Sequence, residues 1–198
     1  MSGRSIAIVG GYRGTKLLAP YNDQGWEIWS CSPRNAEGEL PRHDLWFELH
    51  PQDVVAGLQE PFRTWLAAQP AVYMQDIDPA YPGSMSYPKE AMLSRFGENF
   101  FTSSIAWMLA LAIFKEPLRI GVWGVECAGS HEYGAQRWGV LHFLQVALAA
   151  GIEVVLPQGS RLRKPTPLYG YDHAHYVAAM SSLRVHEHQH SNHPTLNN

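Results

Sequence analysis

Six short runs rich in β-branched and aromatic residues recur along this chain, and each is stopped by glycine, proline or a polar turn. They are residues 5–9 (SIAIV, ending in Gly10-Gly11), 27–31 (EIWSC, closed by Ser32-Pro33), 44–49 (DLWFEL, closed by His50-Pro51), 71–75 (AVYMQ), 119–125 (RIGVWGV) and 152–156 (IEVVL, stopped by Pro157). Runs of this length flanked by breakers read as strands. Stretches with helical features lie among them: residues 12–21, ended by Pro20; 52–68, divided by Pro61; 88–95, opened by Pro88; 105–115, with Thr102-Ser103-Ser104 as an N-cap; and 131–150, with Gly151 placed to end it. Strands alternating with helices predict a mainly parallel sheet covered on both faces. The expected fold is a Rossmann-like α/β three-layer sandwich of about six strands.

A chain of 198 residues, 45% hydrophobic, is long enough for one substantial core and short for two. The expectation is a single domain over residues 1–183. From 184 to 198 the composition turns to His, Gln, Asn and Ser without apolar period, which reads as a flexible His-rich tail. Its histidines have neither a cysteine partner nor a helical pair with a third ligand, so no metal site is assigned. The net charge of −3 offers no general attraction to nucleic acid or to an anionic membrane. No apolar run reaches the length of a membrane span, and residues 1–4 have no signal-peptide layout. The two cysteines, Cys31 and Cys127, lie far apart, which suits a reducing compartment; the expected location is the cytoplasm. Most of the seven tryptophans read as core.

In an open parallel sheet, ligands sit beyond the carboxyl ends of the strands. The polar residues there form four clusters: Gly10, Gly11, Arg13 and Thr15 after the first strand; residues 30–35, with Asn35, after the second; Glu48 and His50 after the third; and Glu126, His131, Glu132, Gln136 and Arg137 after the fifth. The glycine turn allows close approach of a ligand and exposes amides to an anion, with Arg13 beside it. Its plain alternative is strand punctuation. The turn lacks the G-x-G-x-x-G spacing, and no G-K-[ST] follows it, so neither a dinucleotide fingerprint nor a P-loop is present. In the helix over 131–150, Leu141, Leu144 and Leu148 make one stripe and Val140, Phe143 and Ala147 its neighbour. Extended back by a turn and more, these stripes reach Arg137 and Tyr133, and Gln136 and Glu132. The polar end of the helix therefore points into the crevice.

Two readings compete there. Arg137 pairs with Glu126 and Glu132 complements the helix dipole; or Arg137 binds a ligand anion while Glu126 or Glu132 acts as base or sugar contact, with His131 as proton carrier. Ser103 and Ser104 add hydroxyls at another helix start. Cys127 has no base beside it in sequence and is a weak nucleophile candidate. Residues 81–88 have the length and polarity of a lid, and Arg161, Arg163 and Lys164 form either an anion contact or a solvated turn.

The WF-x-L-H element at Trp46–His50, the FFTSSIAWMLALA segment and the EY-x-x-QR element ending at Arg137 together resemble a Rossmann-like family of uncharacterised proteins frequent in bacteriophage genomes. The resemblance spans residue 6 to about residue 171. Where that family carries a Y-G-V-D-M-like strand end, this chain has Trp123-Gly-Val-Glu-Cys127, with the acid one methylene longer. More distantly the order of elements is similar to Rossmann-type sialyltransferases and pterin pyrophosphokinase-like proteins. These resemblances imply a nucleotide or nucleotide-sugar ligand and a transferase reaction, with host cytoplasm as the setting and a nucleobase or DNA as a conceivable acceptor that the charge does not support. Gly10, Gly11 and Arg13 would hold phosphate, Asn35 and its turn base or ribose, and Glu126, Glu132 and Arg137 the transferred group. A non-catalytic binder that sequesters its ligand and a structural or host-interaction protein are the alternatives. No cofactor is identified, and a homo-oligomer is compatible with the sequence.

Overall fold

The computed structural model describes residues 3–127, 131–163 and 171, with the backbone alone for 131–133. The chain divides into two units, Met1–Arg163 and Lys164–Asn198. The first carries all the architecture below. The second, with the His-rich tail and Lys164 of the basic segment, lies outside the described residues apart from Tyr171.

Seven strands form one sheet: β1 (Ser5–Val9), β2 (Trp26–Cys31), β3 (Leu45–Phe47), β4 (Val72–Met74), β5 (Ser84–Ser86), β6 (Arg119–Trp123) and β7 (Glu153–Val155). Every pairing is parallel, in the order β5-β4-β3-β2-β1-β6-β7. The Rossmann-like α/β expectation holds, with seven strands rather than six. The additional strand is β5, which lies inside the segment expected to be a lid. Its sequence, Ser-Met-Ser, has too little apolar character to announce a strand, and it forms because β4 offers an open edge.

Successive strand residues face opposite sides, and both sides are covered. Ile6 and Ile8 of β1, with Trp29 and Phe47, pack under α4 (Lys89–Phe96), α5 (Ser104–Phe114) and α6 (His131–Ala149) through Met92, Leu109 and Phe143. Ala7 and Val9 face the other way, against Tyr21, Trp26 and Trp123. On that side α2 (Gln52–Ala56) and α3 (Glu60–Ala67) bring Val55, Phe62 and Leu66 onto Trp46 and Val72. Full burial of each such side chain contributes about 1.5–3 kcal/mol.

α5 is buried nearly all round, as its unbroken apolar sequence requires. α6 has a narrower buried face. The predicted Val140–Phe143–Ala147 stripe is in the core, as is Leu144, whereas Leu148 is half exposed, so of the two predicted stripes the Leu141–Leu144–Leu148 one is corrected to the margin of the buried face. Pro61 divides the 52–68 region by sitting in the first turn of α3. The first helix, α1 (Arg13–Lys16), is shorter than the predicted 12–21 stretch. The Tyr21 hydroxyl donates to the Lys16 carbonyl at 2.7 Å, closing the chain back on itself.

Candidate functional site

The strand order runs outward from β1 to β5 in one direction and resumes with β6 on the other side of β1. The turns leaving β1 and β6 therefore diverge, and a crevice opens between them at the carboxyl edge of the sheet. It is a cleft of about 770 Å³. The turns after β1, β2, β3 and β6 contribute to its lining, together with the amino end of α5 and Gln136 of α6.

The glycines of its floor are there for close packing. A Cβ on Gly10 would lie 2.5 Å from the Gly124 carbonyl oxygen, and one on Gly124, at φ +64°, 2.1 Å from the Gly10 oxygen. Gly10 N–H donates to the Trp123 carbonyl and Tyr12 N–H to the Gly124 carbonyl, both at 2.9 Å. Thr15 belongs to the same joint, its hydroxyl accepting from Gly124 N–H at 2.9 Å. The turn thus spends two of its amides on β6 rather than offering them to an anion. Gly11 still lines the cleft.

The second turn is braced from below. The Asn35 side-chain amide, fully buried, donates to the Val9 carbonyl, the Ser30 hydroxyl and the Cys31 carbonyl. Lys16, also buried, donates from Nζ to the Arg34 carbonyl at 2.9 Å and pairs with Glu39 at 2.8 Å. These contacts fix the backbone from which Arg34 reaches the cleft lining. Asn35 is a strut rather than a ligand contact, and the residue that lines the cleft is its neighbour Arg34. Arg13 lies on a separate depression of about 650 Å³ shared with Arg34, Glu37 and Glu39.

Two acids stand at the cleft. Glu48 is 2% exposed, and its Oε1 accepts from the His50 backbone N–H at 3.3 Å and bonds His50 Nδ1 in a short contact. Glu126 is 9% exposed; its Oε2 lies 3.5 Å from Arg161 Nε, and its Oε1 has no hydrogen-bond partner among the described residues. Arg137 donates from Nη2 to the Arg161 carbonyl at 3.1 Å. Of the two readings of this end of the helix, the one that pairs Arg137 directly with Glu126 has no ion pair among the described residues: Arg137 bonds the Arg161 backbone, and Glu126 faces the Arg161 guanidinium instead. Arg137 is not part of the lining, although its charge reaches Cys127 on the cleft wall.

Both cysteines line the cleft as protonated thiols. Burial, and secondarily the charge of Glu48, pushes Cys31 up to about 12. Burial pushes Cys127 up to about 11, against a lowering effect from Arg137. Neither has the thiolate character of a nucleophile at neutral pH.

The opposite wall is the start of α5. Ser103 caps the helix by accepting from Ala106 N–H at 3.2 Å, and Ser104 stands beside it on the lining. Thr102 donates to the Gln136 carbonyl at 3.2 Å, which ties this wall to α6. A Cβ on Gly139 would meet the Phe100 oxygen at 2.1 Å, so glycine permits the approach of the two segments. Phe101 and Trp107 stack at 3.8 Å and present an aromatic surface to the cleft.

Of the residues expected at the site, Gly10, Gly11, His50, Ser103, Ser104, Glu126 and Gln136 come together on the cleft. Arg13, Thr15, Asn35 and Arg137 do not line it. The side chains of His131 and Glu132 lie outside those described. Arg34 was expected at the site only as part of the 30–34 turn, and it reaches the lining at that turn's end; the Phe101–Trp107 wall was not expected, because only folding brings Phe101 next to Trp107. Residues 81–88 contribute nothing to the lining. Comparison with protein-family models, with curated proteins and with solved structures returned no match to this chain.

Proposed function

We propose that this protein binds a nucleotide or nucleotide-sugar in the cleft and transfers the sugar, or a related group, to an acceptor. The observation that carries the reading is the Glu126 Oε1 atom, buried at the sheet's switch point without a hydrogen-bond partner among the described residues. An uncompensated buried acceptor is costly, and a ligand hydroxyl or amine that donates to it recovers that cost. The rest of the lining suits such a guest. Arg34 and the amino end of the eleven-residue α5 supply positive potential for phosphate, and the Phe101–Trp107 surface offers a face for a base. The volume falls in the range of small-molecule sites.

Isothermal titration against a panel of nucleotides and nucleotide-sugars tests the binding. Micromolar or tighter association with at least one, weakened by Arg34→Ala, is the expected result; a folded protein that binds none of them removes the reading. Incubation of the bound ligand then separates transferase from sequestering binder. Release of free nucleotide supports transfer, and quantitative recovery of the intact ligand supports sequestration.

A further inference from the structure

We infer that Glu48 and His50 form a proton-accepting dyad, with His50 the general base toward the acceptor hydroxyl. The inference rests on the donor-binding reading above and adds to it the group that activates the acceptor.

The geometry comes from the end of β3. Glu48 extends the strand by one residue, its N–H donating to the Tyr73 carbonyl at 2.8 Å, and the carbonyl of Leu49 is held by the Gln75 side chain at 2.9 Å. Residues 48 and 50 are two apart, so an extended backbone places both side chains on one side of the sheet. Pro51 follows and fixes the exit. Glu48 is sunk beneath the cleft while the His50 side chain, 56% exposed, stands on its lining.

The hydrogen bonding sets the tautomer. A carboxylate only accepts, so the Nδ1 that faces Glu48 Oε1 carries the proton of a neutral ring, and the lone pair is left on Nε2. Nε2 has no hydrogen-bond partner among the described residues. Among the described residues the side-chain bonds of the buried Glu48 carboxylate go to His50 alone, through its backbone N–H and its Nδ1, and this holds the ring in one orientation as the acid of a catalytic triad does. The unpartnered Nε2 lone pair, on a ring that lines the cleft, is the acceptor available to a proton of the acceptor hydroxyl.

In the transfer step the acceptor oxygen bonds to the anomeric carbon of the donor and its proton passes to His50 Nε2. The bond from that carbon to the donor's phosphate oxygen breaks, and the nucleotide leaves with the electron pair. One bond at carbon forms and one breaks, with no change of oxidation state. The imidazolium then returns its proton to solvent. Without an acceptor, water takes the same place, so donor hydrolysis reports on the dyad. Glu48 acts through His50 and is a positioning residue.

The test uses the full chain with UDP-glucose, GDP-mannose, ADP-glucose and a CMP-linked sugar. Binding is read by calorimetry and nucleotide release by chromatography, for wild type, His50→Asn, His50→Gln and Glu48→Gln, with folding checked by circular dichroism. Expected is a donor that wild type binds and cleaves, that both His50 variants bind within about twofold, and that they cleave at least ~100-fold more slowly, as loss of a general base does. Glu48→Gln should lower kcat at unchanged KM and alter the 15N signature that marks the Nδ1–H tautomer. Cleavage by the His50 variants at the wild-type rate overturns the dyad alone. Loss of binding in both makes His50 a ligand contact and also overturns it. Donor binding by wild type without cleavage overturns the dyad and leaves the binding reading in place, whereas no binding by wild type overturns that reading and the dyad with it.

Discussion

Glu126 marks where local stability yields to binding. Its Oε1 is buried without a partner among the described residues, and its Oε2 is only loosely paired with the half-exposed Arg161. The neutral isostere Glu126→Gln should therefore leave the unfolding free energy within about 1 kcal/mol of wild type, because an ion pair with an exposed partner is worth little. The same change should weaken ligand binding by about tenfold, the loss expected for one charge-assisted hydrogen bond. Urea denaturation and calorimetric titration of one preparation read the two effects separately. Gly124 is the opposite case, a residue set by packing. At φ +64° with the Gly10 oxygen 2.1 Å from a built Cβ, Gly124→Ala combines left-handed strain with overpacking. It should cost about 3 kcal/mol, seen as a lower denaturation midpoint.

At the scale of elements, the cleft depends on how α5 begins. The Ser103 side chain satisfies Ala106 N–H, and the helix it starts forms one wall. Ser103→Ala should remove about 1 kcal/mol, and Ser103→Gly only a few tenths, since glycine is a tolerated cap. For a chain of this size the alanine variant corresponds to a melting shift of roughly 2–4 °C by calorimetry. Elements also show what the sequence conveys and what it does not. β1, β2 and β6 were legible because their apolar runs end in sharp breakers, and α5 because a serine cap precedes an unbroken apolar stretch. β5 was not, because an edge strand of three residues draws its stability from β4 rather than from its own composition. α1 is shorter than its stretch suggested, and a hydrogen bond from the Tyr21 hydroxyl, five residues on, closes the Lys16 carbonyl at its end.

For the molecule as a whole, several buried acids of high pKa set the alkaline limit. Cys127 is raised to about 11, and Cys31 and Tyr21 to about 12, chiefly by burial. Each ionises more readily unfolded than folded, so its contribution is complete below the unfolded pKa, which for the thiols is 9.0. That contribution is lost as pH rises toward the folded values. Melting temperature should hold steady up to about pH 8, below the thiol range, and fall between about 9 and 11. Cys127→Ser should flatten the fall. Scanning calorimetry across that range checks it, and a melting temperature independent of pH up to 11 would contradict the burial of these groups. No helix among the described residues is long and apolar enough to cross a membrane.

By itself the sequence determined the alternation of elements, the parallel sheet and the set of turns that carry polar residues, because periodicity and breakers act over a few neighbours. It placed Gly11, His50, Glu126 and Gln136 on a common edge, since strand direction fixes which turns lie together. Only the tertiary structure decided which polar residues became struts and which faced the cleft. Asn35 and Thr15 went inward because the backbone groups around them needed partners, and Arg137 turned to the Arg161 carbonyl. Glu48 and His50 met through the extended backbone beyond β3 and the burial of a carboxylate beneath it. Glu48 and His50, two residues apart, were already grouped in the sequence, and only the burial of Glu48 was decided by the fold; the other outcomes depend on donors and acceptors brought together from positions far apart in the chain, and no local pattern records them.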